Sequence, residues 1–326
     1  MQRQFIYKMN KFIFSLASLL FFYISVIAQK KNVYFIKNDG QYVTQRDSAD
    51  YIRVVQEPDK GSKLFLTSEF YVSGKKKSAG LSSRIDPPKY EGTYLSFYPN
   101  GRRKQVANYS DGHLIDSIYN YYPNGKLYTS LVYTYQPMPL GSSYTVKLVY
   151  DSLEKSLVEN GNGPAIFYDD DFKEIAEKGM LKNGNRDGIW TGTEKQMHIT
   201  YTQTYKDGRM LSGESTDDEG NTTHYTSEYV QPEYKGGINR LYRFLAANVN
   251  YPQNCKDQGI QGVVLLQFVV EKDGSLTGIK VMNYVHPDLA AEATRVLKET
   301  PAWTPGMERG KKVRVKYSIP VSFALN

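Results

Sequence analysis

Few residues in this 326-residue sequence are placed to do chemistry. The four histidines, His113, His198, His224 and His286, form no HExxH pattern, and none stands at zinc-ligand spacing from another or from the single cysteine, Cys255. The GxSxG elbow and the phosphate-binding loop are both absent. Asp169-Asp170-Asp171 and Asp217-Asp218-Glu219 have calcium-loop composition, but their turn-like setting reads more simply as solvated hairpin tips. His286 stands just before a predicted helix, where capping or solvent contact is its expected use. Cys255 reads as a small buried apolar residue. The sequence therefore predicts no enzyme, no cofactor and no metal site. The chemistry left to explain is recognition.

Recognition concentrates in RGKKVRVKYSIPVSF, residues 309–323. From Val313 every second residue is apolar: Val313, Val315, Tyr317, Ile319, Val321 and Phe323. Arg314, Lys316, Ser318, Pro320 and Ser322 alternate with them. That period predicts a strand with one buried and one wet face. Pro320 has no N–H to give a neighbour, so the strand belongs at a sheet edge. Five basic residues crowd into 309–316. A basic edge either repels stray strands or receives a chosen one.

The elements that position this strand begin after a composition change at 231–237. Ile238, Leu241, Tyr242 and Leu245 mark one helical stripe, which ends before Asn250-Tyr251-Pro252. Two strands follow, about 261–270 and 276–283, joined by a Lys-Asp-Gly turn; both faces of the first are apolar, which makes it central. HPDLAAEATRVLKET is a second helix, with Pro287 suited to its first turn and Asp288 to its positive end. With the final strand the order is α-β-β-α-β around an antiparallel sheet, an α+β module over 231–326.

Ahead of it lies a tyrosine-rich, repetitive middle, 86–230. EGTYLSFYPNGRRK and IDSIYNYYPNGKLY place YPNG cores at Tyr98 and Tyr122. YSDGHL and YKDGRML echo them. Asn-Gly and Asp-Gly take the positive φ angles of tight hairpin turns, so the units read as short hairpins stacked in series. Residues 29–85 are β-like and read either as a separate strand set or as degenerate first units. At the N-terminus, Lys8 and Lys11 precede an apolar run over 12–27. As a helix it rises ~24 Å, short of the ~30 Å hydrocarbon core. Val26 and Ala28 suit signal-peptidase cleavage before Gln29, so 1–28 is read as a removable signal peptide. Its removal takes away Arg3, Lys8 and Lys11 and no acid, lowering the formal charge from +7 to +4. That balance argues against a nucleic-acid partner. One cysteine in an exported chain leaves no internal disulfide.

The repeats resemble MORN-variant, YwqK-like units, carried by Gly92-Thr93-Tyr94, the two YPNG cores and Gly188-Ile189-Trp190. The last third resembles the TonB family C-terminal domain in its Bacteroidetes-type form. The residues carrying that resemblance are Gly236-Gly237, Tyr251-Pro252, Gly259-Ile260-Gln261-Gly262-Val263, Phe268-Val269-Val270, Asp273-Gly274, Pro287 with Leu289, Ala302-Trp303, Pro305-Gly306 and residues 313–323. Each has a local reason as well. Gly262 permits close packing at a strand start, Trp303 anchors the helix-to-strand connection, and Pro305-Gly306 turns the chain back to the sheet. The resemblance implies a domain that captures a peptide strand, the TonB box, of an outer-membrane transporter by adding it to the sheet edge. The contact zone is then Arg314, Val315, Lys316, Tyr317 and Ser318. A force-transmitting TonB needs a membrane anchor and a long Pro/Lys-rich spacer, and this chain carries a repeat domain in the spacer's place. The sequence therefore predicts a periplasmic adaptor that touches membrane only through its signal or peripherally. The alternatives are an energy transducer with an uncleaved anchor and a structural protein that dimerises through the same strand.

Overall fold

A computed structural model describes residues 30–136, 141–283 and 285–325. The expected signal segment and its expected cleavage point at Ala28 and Gln29 lie outside the described residues. No helix among the described residues is long and apolar enough to cross a membrane. The chain divides into two compact units, 1–127 with 131–144, and 128–130 with 145–326.

In the first unit the strands are β1 (Lys31–Ile36), β2 (Tyr42–Val43), β3 (Tyr51–Gln56), β4 (Phe65–Tyr71), β5 (Lys76–Ser82), β6 (Tyr90–Phe97), β7 (Arg103–Ser110) and β8 (His113–Tyr121). They form an antiparallel sheet in the order β8-β7-β6-β5-β4-β3-β1-β2. The YPNG cores build its turns. Tyr98 N–H donates to Arg102 O at 2.8 Å and Gly101 N–H to Tyr98 O at 2.8 Å, with Gly101 at φ 86°. Tyr122, Gly125 and Lys126 repeat that pair of bonds at the same lengths. The tyrosine also explains itself, because Tyr98 OH donates to Tyr121 O, beside the next core, at 2.6 Å. Tyr71-Val72-Ser73-Gly74 closes the same turn, and Tyr71 OH donates to Phe97 O at 2.7 Å. The turn at Tyr71, within 29–85, thus has the same hydrogen bonds as the turns at the YPNG cores.

Strands β9 (Leu127–Gln136) and β10 (Gly141–Tyr150) run through the division between the units. The second unit then holds β11 (Ser156–Val158), β12 (Gly163–Tyr168), β13 (Ile175–Lys182), β14 (Asn185–Glu194), β15 (Ile199–Lys206), β16 (Arg209–Asp217) and β17 (Thr222–Tyr225). The last six pair in sequence order. Trp190 is fully buried and lies flat over Gly179, where a Cβ would come 2.3 Å from the indole. Both acid clusters serve their own turns. Asp169 Oδ1 accepts from the N–H groups of Lys173 and Glu174, and Asp217 Oδ1 accepts from Asn221 N–H.

The C-terminal module follows: β18 (Tyr229–Val230), α1 (Ile238–Asn248), α2 (Gln253–Asp257), β19 (Gly262–Val270), β20 (Leu276–Val281), α3 (Pro287–Lys298), β21 (Gly306–Glu308), β22 (Lys311–Val313) and β23 (Val315–Phe323). The expected α-β-β-α-β order is present, with β19 central in β20-β19-β23. Its core gathers Leu241, Leu245, Val264, Leu266, Phe268, Leu289, Val296, Trp303 and Ile319. Three features were not predicted. The first is the short α2. The second is a small sheet, β18-β21-β22. The third is a break at Arg314, which divides the strand expected from Val313 onward. The break has a physical cause. Arg309 and Gly310, at φ 43° and 79°, make a two-residue turn that pairs Lys311–Val313 back on Gly306–Glu308.

Candidate functional site

β23 runs antiparallel to β19, from Val315 opposite Val270 to Phe323 opposite Gly262. Val315, Ile319, Val321 and Phe323 are buried with Tyr317 half-buried, while Lys316, Ser318, Pro320 and Ser322 are exposed. Among the described residues no strand pairs with the other side of β23.

Backbone geometry shows what that open side presents. Leu265 N–H donates to Asn283 Oδ1 at 2.8 Å, and Leu265 O accepts from Met282 N–H at 2.9 Å. Both groups of Leu265 thus face away from β23. In an antiparallel ladder, a residue's N–H and C=O point to one side and the next residue's to the other. Leu265 lies opposite Pro320, so Pro320 faces the open side, and by alternation Lys316, Ser318 and Ser322 do too. The edge offers N–H groups at Lys316, Ser318 and Ser322 and carbonyls at all four positions. Pro320 occupies a position where its missing N–H deprives no partner within the sheet.

Beside the C-terminal half of this edge lies a groove of about 550 Å³, lined by Tyr242, Leu245, Val249, Tyr251, Val321 and Phe323 among others. α1 forms one wall because only Leu241 and Leu245 of its predicted stripe are buried; Ile238 and Tyr242 stay 43% and 42% exposed.

The other residues singled out in the sequence fall into place around this frame. Arg314 turns back to grip Glu271 with Nε at 2.6 Å and Nη2 at 2.9 Å, which holds the Glu271 carboxyl below its ordinary range. Tyr317 packs against Trp303 and Phe268, with centroids at 5.6 and 5.9 Å. Trp303 is 3% exposed and donates from Nε1 to Thr300 Oγ1 at 3.3 Å. Asp273 Oδ1 accepts from Ser275 N–H at 2.9 Å. Gly274, at φ 86°, lies so close that an added Cβ would stand 1.9 Å from Trp303 O. Tyr251 OH donates to Ile260 O at 2.7 Å, and Pro252 stands directly before α2. Pro305 leads into Gly306, the first residue of β21, where a Cβ would come 2.5 Å from Val315 Cγ2. The close packing expected at Gly262 is not found, since a Cβ there would meet nothing within 4 Å.

Two clusters escaped sequence reasoning. The first is a joint between the β21–β22 hairpin and the six-stranded sheet. Arg309 N–H donates to Glu228 O at 2.7 Å, and Arg309 O accepts from Ser215 Oγ at 2.8 Å. Its guanidinium lies 4.5 Å from the Tyr201 ring and 3.0 Å from Glu308. Lys311 Nζ meets Asp217 at 2.9 Å. Arg309, Lys311 and Arg314, three of the five basic residues in 309–316, are thus engaged within the chain. Burial pushes the Glu228 carboxyl up, but the Tyr205 hydroxyl, Arg186 and Arg309 outweigh it and hold the group below its ordinary range. An acid depressed in this way stabilises the fold fully above its unfolded value, near 4.3. That contribution is lost as pH falls through the lower folded value. Arg309→Ala is expected to destabilise this unit by about 1.5–3 kcal/mol, the range for hydrogen bonds to charged groups. Thermal melts check this, and Glu228→Gln should flatten their acid limb below about pH 4.

The second cluster is Cys255 with His286. No sequence spacing pairs them, yet Sγ and Nδ1 lie 3.3 Å apart. His286 Nδ1 also accepts from Asp288 N–H at 3.3 Å, so the capping role expected of it is present.

Residues 247–325 match the family described as Gram-negative bacterial TonB protein C-terminal. Two solution NMR structures of the Helicobacter pylori TonB C-terminal domain are similar to this chain at 25% and 24% identity. They cover 27% and 28% of this chain and 91% and 89% of their own, with TM-scores of 0.22 and 0.23. The curated proteins contain no match to the chain.

Proposed function

We propose that this chain is a periplasmic binding adaptor whose TonB-type C-terminal domain takes up an extended segment of an outer-membrane TonB-dependent transporter as an added strand on β23. TonB C-terminal domains serve such transport by binding, without catalysis. The observation that carries the reading is the open row of backbone groups at Lys316, Ser318, Pro320 and Ser322. Main-chain bonds along such a row give affinity that tolerates sequence, while side chains of the guest sample the surfaces on either side. Arg314, Val315, Lys316, Tyr317 and Ser318 form the proposed contact zone because Pro320 interrupts the donors beyond it. The groove at Val321 and Phe323 extends that zone for apolar side chains of the guest. Lys316, exposed beside the row, favours acidic guests and raises the rate of encounter.

Photo-crosslinking groups at Lys316 and Ser318, used in whole envelope, test the proposal. Recovery of periplasm-facing peptides of an outer-membrane transporter is the expected result. Recovery of self-crosslinks alone would instead identify a homodimer through the same edge.

A further inference from the structure

Three different metal-binding groups converge where α2 meets the start of α3. Cys255 lies in α2, His286 directly precedes α3, and Asp288 is in its first turn. Cys255 Sγ is 3.3 Å from His286 Nδ1, and that nitrogen is 3.8 Å from Asp288 Oδ2. All three donor atoms lie within 4.8 Å of one another. Ligands held tetrahedrally at zinc bond lengths of 2.0–2.3 Å stand roughly 3.3–3.7 Å apart. The cluster therefore needs only a small inward movement of the Asp288 carboxylate to surround one ion.

We propose that Cys255 Sγ, His286 Nδ1 and an Asp288 carboxylate oxygen form a zinc site, completed by water on the exposed side. Cys255 is the buried floor, while the His286 and Asp288 side chains are 27% and 46% exposed and leave a path of entry. Asn254 Nδ2 donates to Asp288 Oδ2 at 3.2 Å and steadies the carboxylate, as supporting partners do at metal sites. The donor set selects the metal. A thiolate with an imidazole and one carboxylate suits Zn²⁺, whereas Mg²⁺ and Ca²⁺ require oxygen ligands.

Without the ion, the thiol proton occupies its place, donated to Nδ1 at a sulfur whose burial favours the protonated form. Zinc displaces that proton to solvent and takes both lone pairs. The ion must also replace the 3.3 Å Asp288 N–H contact to Nδ1, a long hydrogen bond. A divalent ion with one thiolate and one carboxylate is neutral overall, so the positive end of α3 opposes it little.

Cobalt(II) titration of the full chain tests the site. Cys255 is the chain's single cysteine, so any thiolate-to-cobalt charge-transfer band reports on this position alone. The band should saturate at about one equivalent, disappear on adding Zn²⁺ and be lost in Cys255→Ser. Asp288→Asn should weaken Zn²⁺ binding more than about a hundredfold, beyond the ~10–100-fold that loss of a supporting partner costs. No band from the wild-type chain with excess Co²⁺ would overturn the proposal, whatever the variants do. Unchanged Zn²⁺ affinity in a folded Cys255→Ser variant would overturn it too.

Discussion

Ser318→Pro is expected to weaken binding of a transporter-derived peptide about tenfold or more, with only a modest change in melting temperature. Ser318 is exposed and lies opposite Gln267 in a pair that shares no ladder hydrogen bonds. Its N–H points to the open side, so proline removes no bond to β19. Together with Pro320 the change leaves two successive edge positions without a donor. The guest loses one hydrogen bond and keeps an unsatisfied carbonyl, which together cost about 1–3 kcal/mol. Each ~1.4 kcal/mol is tenfold in affinity. Ser318→Ala should bind like the wild type, because the proposed contact is main-chain. Fluorescence anisotropy of a labelled peptide reads both variants. Equal losses in the two would contradict a backbone-mediated dock.

Gly274→Ala is expected to cost the C-terminal domain about 3–5 kcal/mol, the range of the more severe core substitutions. Two effects combine at this residue. A non-glycine residue at φ 86° carries ~1–2 kcal/mol of left-handed strain. The added Cβ would also stand 1.9 Å from Trp303 O, and backbone cannot swing aside as a flexible side chain can. Relief means moving Trp303, which breaks the 2.9 Å bond from its N–H to Gly274 O and disturbs its packing on Phe268, Tyr234 and Tyr317. Gly101→Ala is the control. It has the same φ of 86° with nothing within 4 Å of the new Cβ, so only the strain should register. Urea unfolding followed by circular dichroism, to which both units contribute, compares the two, and equal costs would show that the Trp303 contact contributes nothing.

The sequence was most informative where one periodicity or one turn residue determined the outcome. Strict alternation over 313–323 and the missing donor at Pro320 predicted an edge strand, and β23 is one. Asn-Gly at 100–101 and 124–125 predicted hairpins that close as expected. The break at Arg314 was hidden because Val313 keeps the apolar phase. Only the Arg309-Gly310 turn and its pairing to Gly306–Glu308 interrupt the strand, and such pairing is a tertiary event. The joint at Arg309 was hidden for a similar reason. Its partners Ser215, Tyr201 and Glu228 lie 81 or more residues away in sequence. Basic residues that read as bait for a guest are thus partly consumed within the chain. Cys255 and His286 meet only because α2 packs beside the start of α3, which no linear spacing reports.

Amide hydrogen exchange along β23, with and without a transporter-derived peptide, tests the central claim most directly. In the free protein the N–H groups of Tyr317, Ile319 and Val321 should exchange slowly and those of Lys316, Ser318 and Ser322 quickly, and a saturating peptide should slow the fast set. The account is contradicted if Lys316, Ser318 and Ser322 are already protected without the peptide, or if they stay fast once it is bound.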